Sequence, residues 1–249
     1  MRKIMLVTGG SAGIGAATAR MAGEHGYDVA VNYNSDRHGA EAAAEAVRAA
    51  GGRALPIQAD VSDPSAVAAM FEKLDAELGT VDVLVNNAGM VAPLTCVEDI
   101  TPERLARILG VNVNGSVYCA QQAVRRMSAK YGGKGGSIIN LSSAAATLGA
   151  PNQYVDYAAA KGAIDSFTIG LSLEQAPHGV RVNAVRPGII DTPLHGKGGE
   201  PDRAQELGSK VVPMQRAGSP DEVAEAILWL ASDAASYVTA EIMKVTGGR

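Results

Sequence analysis

With 249 residues and a net charge of −4, the chain is long enough for one large α/β domain or two small ones, and a hydrophobic share of 47% supplies a full core. No apolar stretch is long enough to span a membrane, and the Ile4–Val7 run is too short for the core of a signal peptide. The absence of basic blocks with interleaved aromatics argues against nucleic acid as a main partner. Two cysteines, Cys96 and Cys119, without CxxC or ligand-like spacing argue against a metal site and for a reducing cytoplasm.

Ile4 to Val7 reads as a short strand that runs into Thr8-Gly9-Gly10-Ser11-Ala12-Gly13-Ile14-Gly15, after which a helical pattern continues to about His25. Strand, glycine turn and helix form the context in which a phosphate can approach backbone N–H groups at a helix N-terminus. The spacing is G-x3-G-x-G, which differs from the commoner G-x-G-x-x-G. The alternation repeats, with strands over 29–33, 54–59 and 81–85 and helices over 39–50 and 64–78. Asp60-Val61 and Asn86-Asn87-Ala88-Gly89 follow two of these strands.

One long helix is predicted from Pro102 to about Lys130, then a basic glycine-rich loop to Gly136 and a strand over 137–141 ending at Ser142-Ser143. A helix from about Asn152 to Ala176 and a strand over 180–185 follow, the latter ending at Pro187-Gly188. Residues 189–215 carry many Gly and Pro with little periodicity and read as a lid. A helix over 220–231 and a strand over 242–245 complete the chain. Strands alternating with helices throughout predict one domain over 1–249, with a doubly wound parallel sheet of about seven strands and helices on both faces. The motifs all follow strand carboxyl ends, the edge where ligands bind in such sheets.

Within the helix over 152–176, Tyr157 and Lys161 stand four residues apart and share a face. A phenol of pKa about 10 is a poor acid/base at neutral pH, and a neighbouring cation favours the phenolate. Bringing it to ~7 needs about 4 kcal/mol, of which one lysine supplies part. A solvated helix face remains the alternative for the isolated pair.

Taken together, Thr8-Gly9-x3-Gly13-Ile14-Gly15, Asn86-Asn87-Ala88-Gly89, Asn112, Ser143, Tyr157-x3-Lys161 and Pro187-Gly188-x3-Thr192 resemble the short-chain dehydrogenase/reductase family across essentially the whole chain. Finer similarity around 155–163 and 181–188 points to bacterial sugar (glucose) 1-dehydrogenase-like and 3-oxoacyl-carrier-protein-reductase-like members. The resemblance implies a Rossmann-type fold and hydride transfer between nicotinamide and a carbonyl or secondary alcohol.

It further implies roles for individual residues. Tyr157 is the expected general acid or base, and Lys161 holds the nicotinamide ribose and lowers the phenol pKa. Ser143, with Ser142 as the competing serine, stabilises the substrate oxygen. Asn112 anchors a water in the proton relay, with a surface amide as the alternative. Thr8, Gly9, Ser11, Gly13, Ile14 and Gly15 hold the pyrophosphate. Asp60 and Val61 lie beside the adenine, while Asn86, Ala88 and Gly89 line the adenosine ribose. The segment Pro187, Gly188, Ile190 and Thr192 meets the nicotinamide end. Tyr154 packs or contacts substrate, and His195 is a lone loop histidine.

Cofactor choice turns on the end of the second strand, where an NAD-selective site places an acid and this chain has Asn32. Ser35 and Arg37 follow and would meet a 2′-phosphate, while Asp36 and the small Ala12 point the other way. The expectation is NADP(H) preferred with NAD(H) possible. A carrier-protein substrate would need a basic surface, for which Arg125, Arg126, Lys130 and Lys134 are the candidates, read as clustering near the site mouth. A catalytically silent dinucleotide sensor is the rival of another class. The family also implies a homotetramer.

Overall fold

The structure is a computed structural model that describes residues 2–249, apart from the side chains of residues 195 and 197. The first half contains β1 (Ile4–Val7), α1 (Gly13–Glu24), β2 (Asp28–Tyr33), α2 (Arg37–Ala49), β3 (Ala54–Gln58), α3 (Pro64–Glu77) and β4 (Val83–Asn86). After it come α4 (Pro102–Leu109), α5 (Gly115–Met127), β5 (Gly136–Leu141), α6 (Ala145–Leu148), α7 (Val155–Gln175) and β6 (Val180–Pro187). The 189–215 segment holds α8 (Leu194–Lys197) and α9 (Arg203–Val211), and α10 (Pro220–Ala231) and β7 (Ile242–Val245) close the chain.

All seven strands are parallel in one sheet of order β3-β2-β1-β4-β5-β6-β7. The order reverses at β1, so the crevice beyond the carboxyl ends of β1 and β4 is the ligand position of this architecture. Strand side chains alternate between faces, and both faces are apolar. Met5, Val7, Val29 and Ile139 pack with α1, α2 and α10, while Leu6, Leu84, Ile138 and Val182 pack with α3, α5 and α7. Helix starts are set locally: Asp63 and Thr101 cap helices that open with proline, and Ser219 with Glu222 forms a capping box.

Two departures from the expected elements bear on function. The predicted helix over 102–130 is broken by a π turn at Gly110–Asn114, between α4 and α5. The 189–215 segment, read as aperiodic, contains two short helices. Among the described residues no helix is long and apolar enough to cross a membrane.

Candidate active site

A cavity of about 1200 Å³ runs along the carboxyl edge of the sheet, from the glycine turn to the lid. At one end the turn after β1 brings backbone close to its neighbours. Gly9 and Gly13 have positive φ, of 61° and 53°. A Cβ on Gly9 would stand 2.9 Å from Ala88 Cα, and one on Gly15 would stand 2.4 Å from both Asn87 Nδ2 and the Gly9 carbonyl. The α1 N-terminus begins at Ala12 with no side-chain cap, leaving its first N–H groups for a ligand. A backbone cradle that admits no side chain, at an uncapped helix start, fits a dinucleotide pyrophosphate.

Several expected cofactor residues line this cavity: Gly9, Ser11, Gly13, Ile14, Ser35, Asp60, Val61, Ala88, Gly89, Pro187, Gly188, Ile190 and Thr192. Others are placed differently. Thr8 is buried beneath the turn, its hydroxyl accepting from the Asn87 and Ala88 N–H groups, both at 3.0 Å. Asn86 points into the core, donating to the Ser116 carbonyl and to Asn140 Oδ1 at 2.9 Å, with Asn140 continuing to Thr168. Gly15 packs against Asn87 instead of lining the cavity. These three act as supports behind the cofactor edge. Asn87, which sequence reasoning did not single out, donates to the Thr8 and Gly9 carbonyls and fixes the turn on β4; its place inside the Asn86–Gly89 motif was the available signal.

At the adenosine end Asn32 lines the cavity as expected but is almost fully buried, at 1% exposed, and its amide is engaged by backbone. The amide accepts from Gly9 N–H at 3.2 Å and donates to the Ala59 carbonyl at 3.0 Å, so it braces β2, the turn and β3. Asn34, Ser35 and Asp36 line the cavity beyond it, while Arg37 is exposed at the start of α2 and is not among the lining residues. The Asp36 carboxylate caps α2 through the Gly39 N–H at 2.9 Å.

The π turn explains Asn112. It is fully buried, donates to the Met90 and Ile108 carbonyls at 2.9 Å each and accepts from the Met90 N–H at 3.2 Å. The surface-amide alternative is thereby overturned. Around Gly89, the position of a Cβ would lie 3.0 Å from Asn112 Oδ1 and 3.7 Å from Lys161 Nζ. Asn112 and Lys161 therefore flank the same backbone.

Tyr157 and Lys161 project from the first turns of α7 into the cavity, with Lys161 Nζ 5.6 Å from the Tyr157 ring centre. Lys161 donates to the Leu141 carbonyl at 2.6 Å. Its burial pulls the ammonium pKa down to about 8, opposed by the charge of Asp165. Desolvation pushes the Tyr157 phenol up to about 12, against a hydrogen bond with Ser143. The expected lowering of the phenol by Lys161 is not found in the chain's own groups: desolvation raises it, and Ser143 is the group that opposes the rise.

Ser143 lines the cavity with Tyr157 and accepts from Ala145 N–H at 3.2 Å. Ser142 is buried and turned to the Lys161 carbonyl. Behind Tyr157, Asp156 accepts the Tyr157 N–H at 2.9 Å and pairs with Arg104 at 2.7 Å, and Arg104 also holds the Pro93 carbonyl.

The basic cluster at residues 125–134 does not sit at the site mouth. α5 runs from the carboxyl edge to the opposite edge of the sheet, where Arg126 pairs with Asp75. From the lid, Arg203 enters the cavity wall near Tyr154 and Gln153; an aperiodic stretch offered no sequence signal for it.

A family model described as enoyl-(acyl carrier protein) reductase matches residues 9–249. An uncharacterised oxidoreductase, YgfF, of Escherichia coli (strain K12) is 51% identical over 246 residues, covering 99% of both chains. Glucose 1-dehydrogenase 2 of Bacillus subtilis (strain 168) is 38% identical over 247 residues, covering 99% of this chain and 94% of that protein. Among solved structures, a short-chain dehydrogenase from Burkholderia cenocepacia J2315 in complex with NADP superimposes with a TM-score of 0.88 at 32% identity, over 99% of this chain and 97% of that one. Near-complete coverage by these relatives, with the motif residues gathered on one cavity edge, carries the conclusion: the chain belongs to the short-chain dehydrogenase/reductase family and is an NAD(P)-dependent oxidoreductase acting on alcohol and carbonyl groups.

Proposed function

We propose that the protein is a cytoplasmic reductase or dehydrogenase of small carbonyl or secondary-alcohol substrates, acting as one catalytic domain with Tyr157 as its acid/base. The observation that carries this reading is that Ser143, Tyr157 and Lys161 line one cavity, with Lys161 Nζ 5.6 Å from the Tyr157 ring centre and Asn112 behind the Gly89 backbone that Lys161 also flanks. When bound, the nicotinamide cofactor supplies or accepts the hydride at C4. The chain's residues then manage one proton and one developing charge. Ser143 donates a hydrogen bond to the substrate oxygen. Tyr157 gives that oxygen its proton in reduction, a task that suits a phenol held protonated at neutral pH. In the oxidative direction the phenolate is required, and the Lys161 ammonium stabilises it. Asn112 holds the backbone at Met90.

Tyr157→Phe is expected to lower kcat by ~10²–10⁴-fold while dinucleotide affinity stays within about twofold. More than about a tenth of the wild-type rate would remove Tyr157 from the acid/base role. Ser143, Tyr157 and Lys161 in one cavity, with Asn112 buried behind it, weigh against a silent sensor. The carrier-protein reading loses its basic docking surface at the site mouth.

NADP(H) is the proposed preferred cofactor, with NAD(H) possible. Supporting this, the position expected to carry an acid holds Asn32, whose amide is spent on backbone, and Asp36 is engaged as a helix cap. A 2′-phosphate would be met by Ser35 and by Arg37 reaching in from the start of α2.

A further inference from the structure

We infer that the substrate carries a carboxylate, and that Arg203 on the lid is the group that takes it; this rests on the oxidoreductase reading above and names the substrate class for the same cavity. The side walls over Ser143 and Tyr157 are largely apolar, from Met90, Ala145, Leu148, Ile190 and Leu194. A pocket of that kind gains its orientation from a few polar groups. Arg203 is the most enclosed charge on the lid side, its side chain 13% exposed. Lys161 is already bound to the Leu141 carbonyl, and Arg249 is exposed at the chain end.

The guanidinium is held in place from two sides. It lies over the Tyr154 ring at 5.4 Å, three residues before Tyr157, and Nη2 donates to Gln153 Oε1 at 2.5 Å. Nη1 donates to Glu200 Oε2 at 2.6 Å. A guanidinium has five N–H donors in a planar fork that matches a carboxylate, and these two bonds leave most of them for a ligand. Among the described residues its charged partner is Glu200, three residues away, whose side chain is 36% exposed. The pair is partly buried, and Glu200 is the member nearer solvent, so a planar anion in the cavity competes with it for the fork. A substrate carboxylate therefore displaces Glu200 into solvent and takes its place on Arg203.

The test uses three oxo acids of different reach, 4-oxopentanoate, 5-oxohexanoate and 4-oxocyclohexanecarboxylate, each beside its methyl ester. Calorimetry with NADP⁺ present measures binding without turnover, and NADPH oxidation measures reduction. At least one acid is expected to bind about tenfold more tightly than its ester, the value of one charge-assisted hydrogen bond. Arg203→Leu should bring that acid-to-ester ratio close to one, and Arg203→Lys should keep part of it, having the charge without the fork. Glu200→Gln, at a half-exposed surface position, should raise affinity for the acid several-fold by removing the competing carboxylate.

Acids that bind no better than esters throughout the series would overturn the inference. So would Arg203→Leu weakening acid and ester equally, which would make Arg203 a strut of the lid alone. Acid-selective binding without reduction by NADPH would instead count against the catalytic reading and leave the carboxylate site standing.

Discussion

Desolvation acts in opposite directions on the two groups that face each other from α7, pushing Tyr157 up to about 12 and Lys161 down to about 8. Between pH 8 and 10 the unfolded lysine, near 10.5, still holds a proton that the folded one has lost. The unfolded state then binds more protons, and stability rises with pH across that window. Above pH 10 the unfolded phenol deprotonates before the folded one, and the slope reverses. Lys161→Met should therefore flatten the rise, which urea unfolding of both proteins at several pH values between 8 and 10 would show. An unchanged slope would mean Lys161 titrates normally in the fold. Arg37→Ala tests the cofactor assignment: the Michaelis constant for NADPH should rise about tenfold and that for NADH stay within about twofold. A strict NAD preference in the wild type would sink the NADP proposal. The residue types and order of the tetrad were readable because the chemistry admits few substitutes. The side-chain directions of Asn32 and Asn86 were not, since strand alternation turns a polar group inward when backbone carbonyls there need a donor.

At the scale of elements, the long stretch after Pro102 looked like one helix because an extra residue in a single turn barely disturbs an apolar pattern. That turn is what drives Asn112 inward. π turns of this kind occur often at functional sites. The lid helices escaped notice for a different reason: α8 has four residues and α9 nine, bounded by Gly and Pro, too short for a period to show. The basic cluster at 125–134 misled because chain proximity was taken for spatial proximity. A helix of 13 residues such as α5 covers about 20 Å, which carries the cluster across the sheet. Ala240 sits at φ 63°, in the left-handed region, just before β7, where an alanine is strained. Ala240→Gly should relieve about 1 kcal/mol of strain and raise Tm by about 2–4 °C. A lower Tm would mean the alanine methyl contributes packing that outweighs the strain.

At the scale of the whole molecule, the strand alternation and the site edge were legible because βα repetition leaves few topologies. The assembly state was not, and the homotetramer remains a proposal. It draws on Ile169 and Leu173, 44% and 69% exposed one turn apart on α7, and on β7 as an open edge of the sheet. Light scattering at micromolar concentration is expected to give four times the mass of the 25.5 kDa chain, and a monomer mass would end the idea. The strand order has a further consequence for biosynthesis. β1 is laid down first, β2 and β3 extend the sheet on one side, and β4 to β7 extend it on the other, each beside the last strand added on that side. No strand has to be inserted between two already paired. As the chain leaves the ribosome, every new strand meets an open template, so the growing sheet is ordered outward from its centre before the lid and the last strand are made.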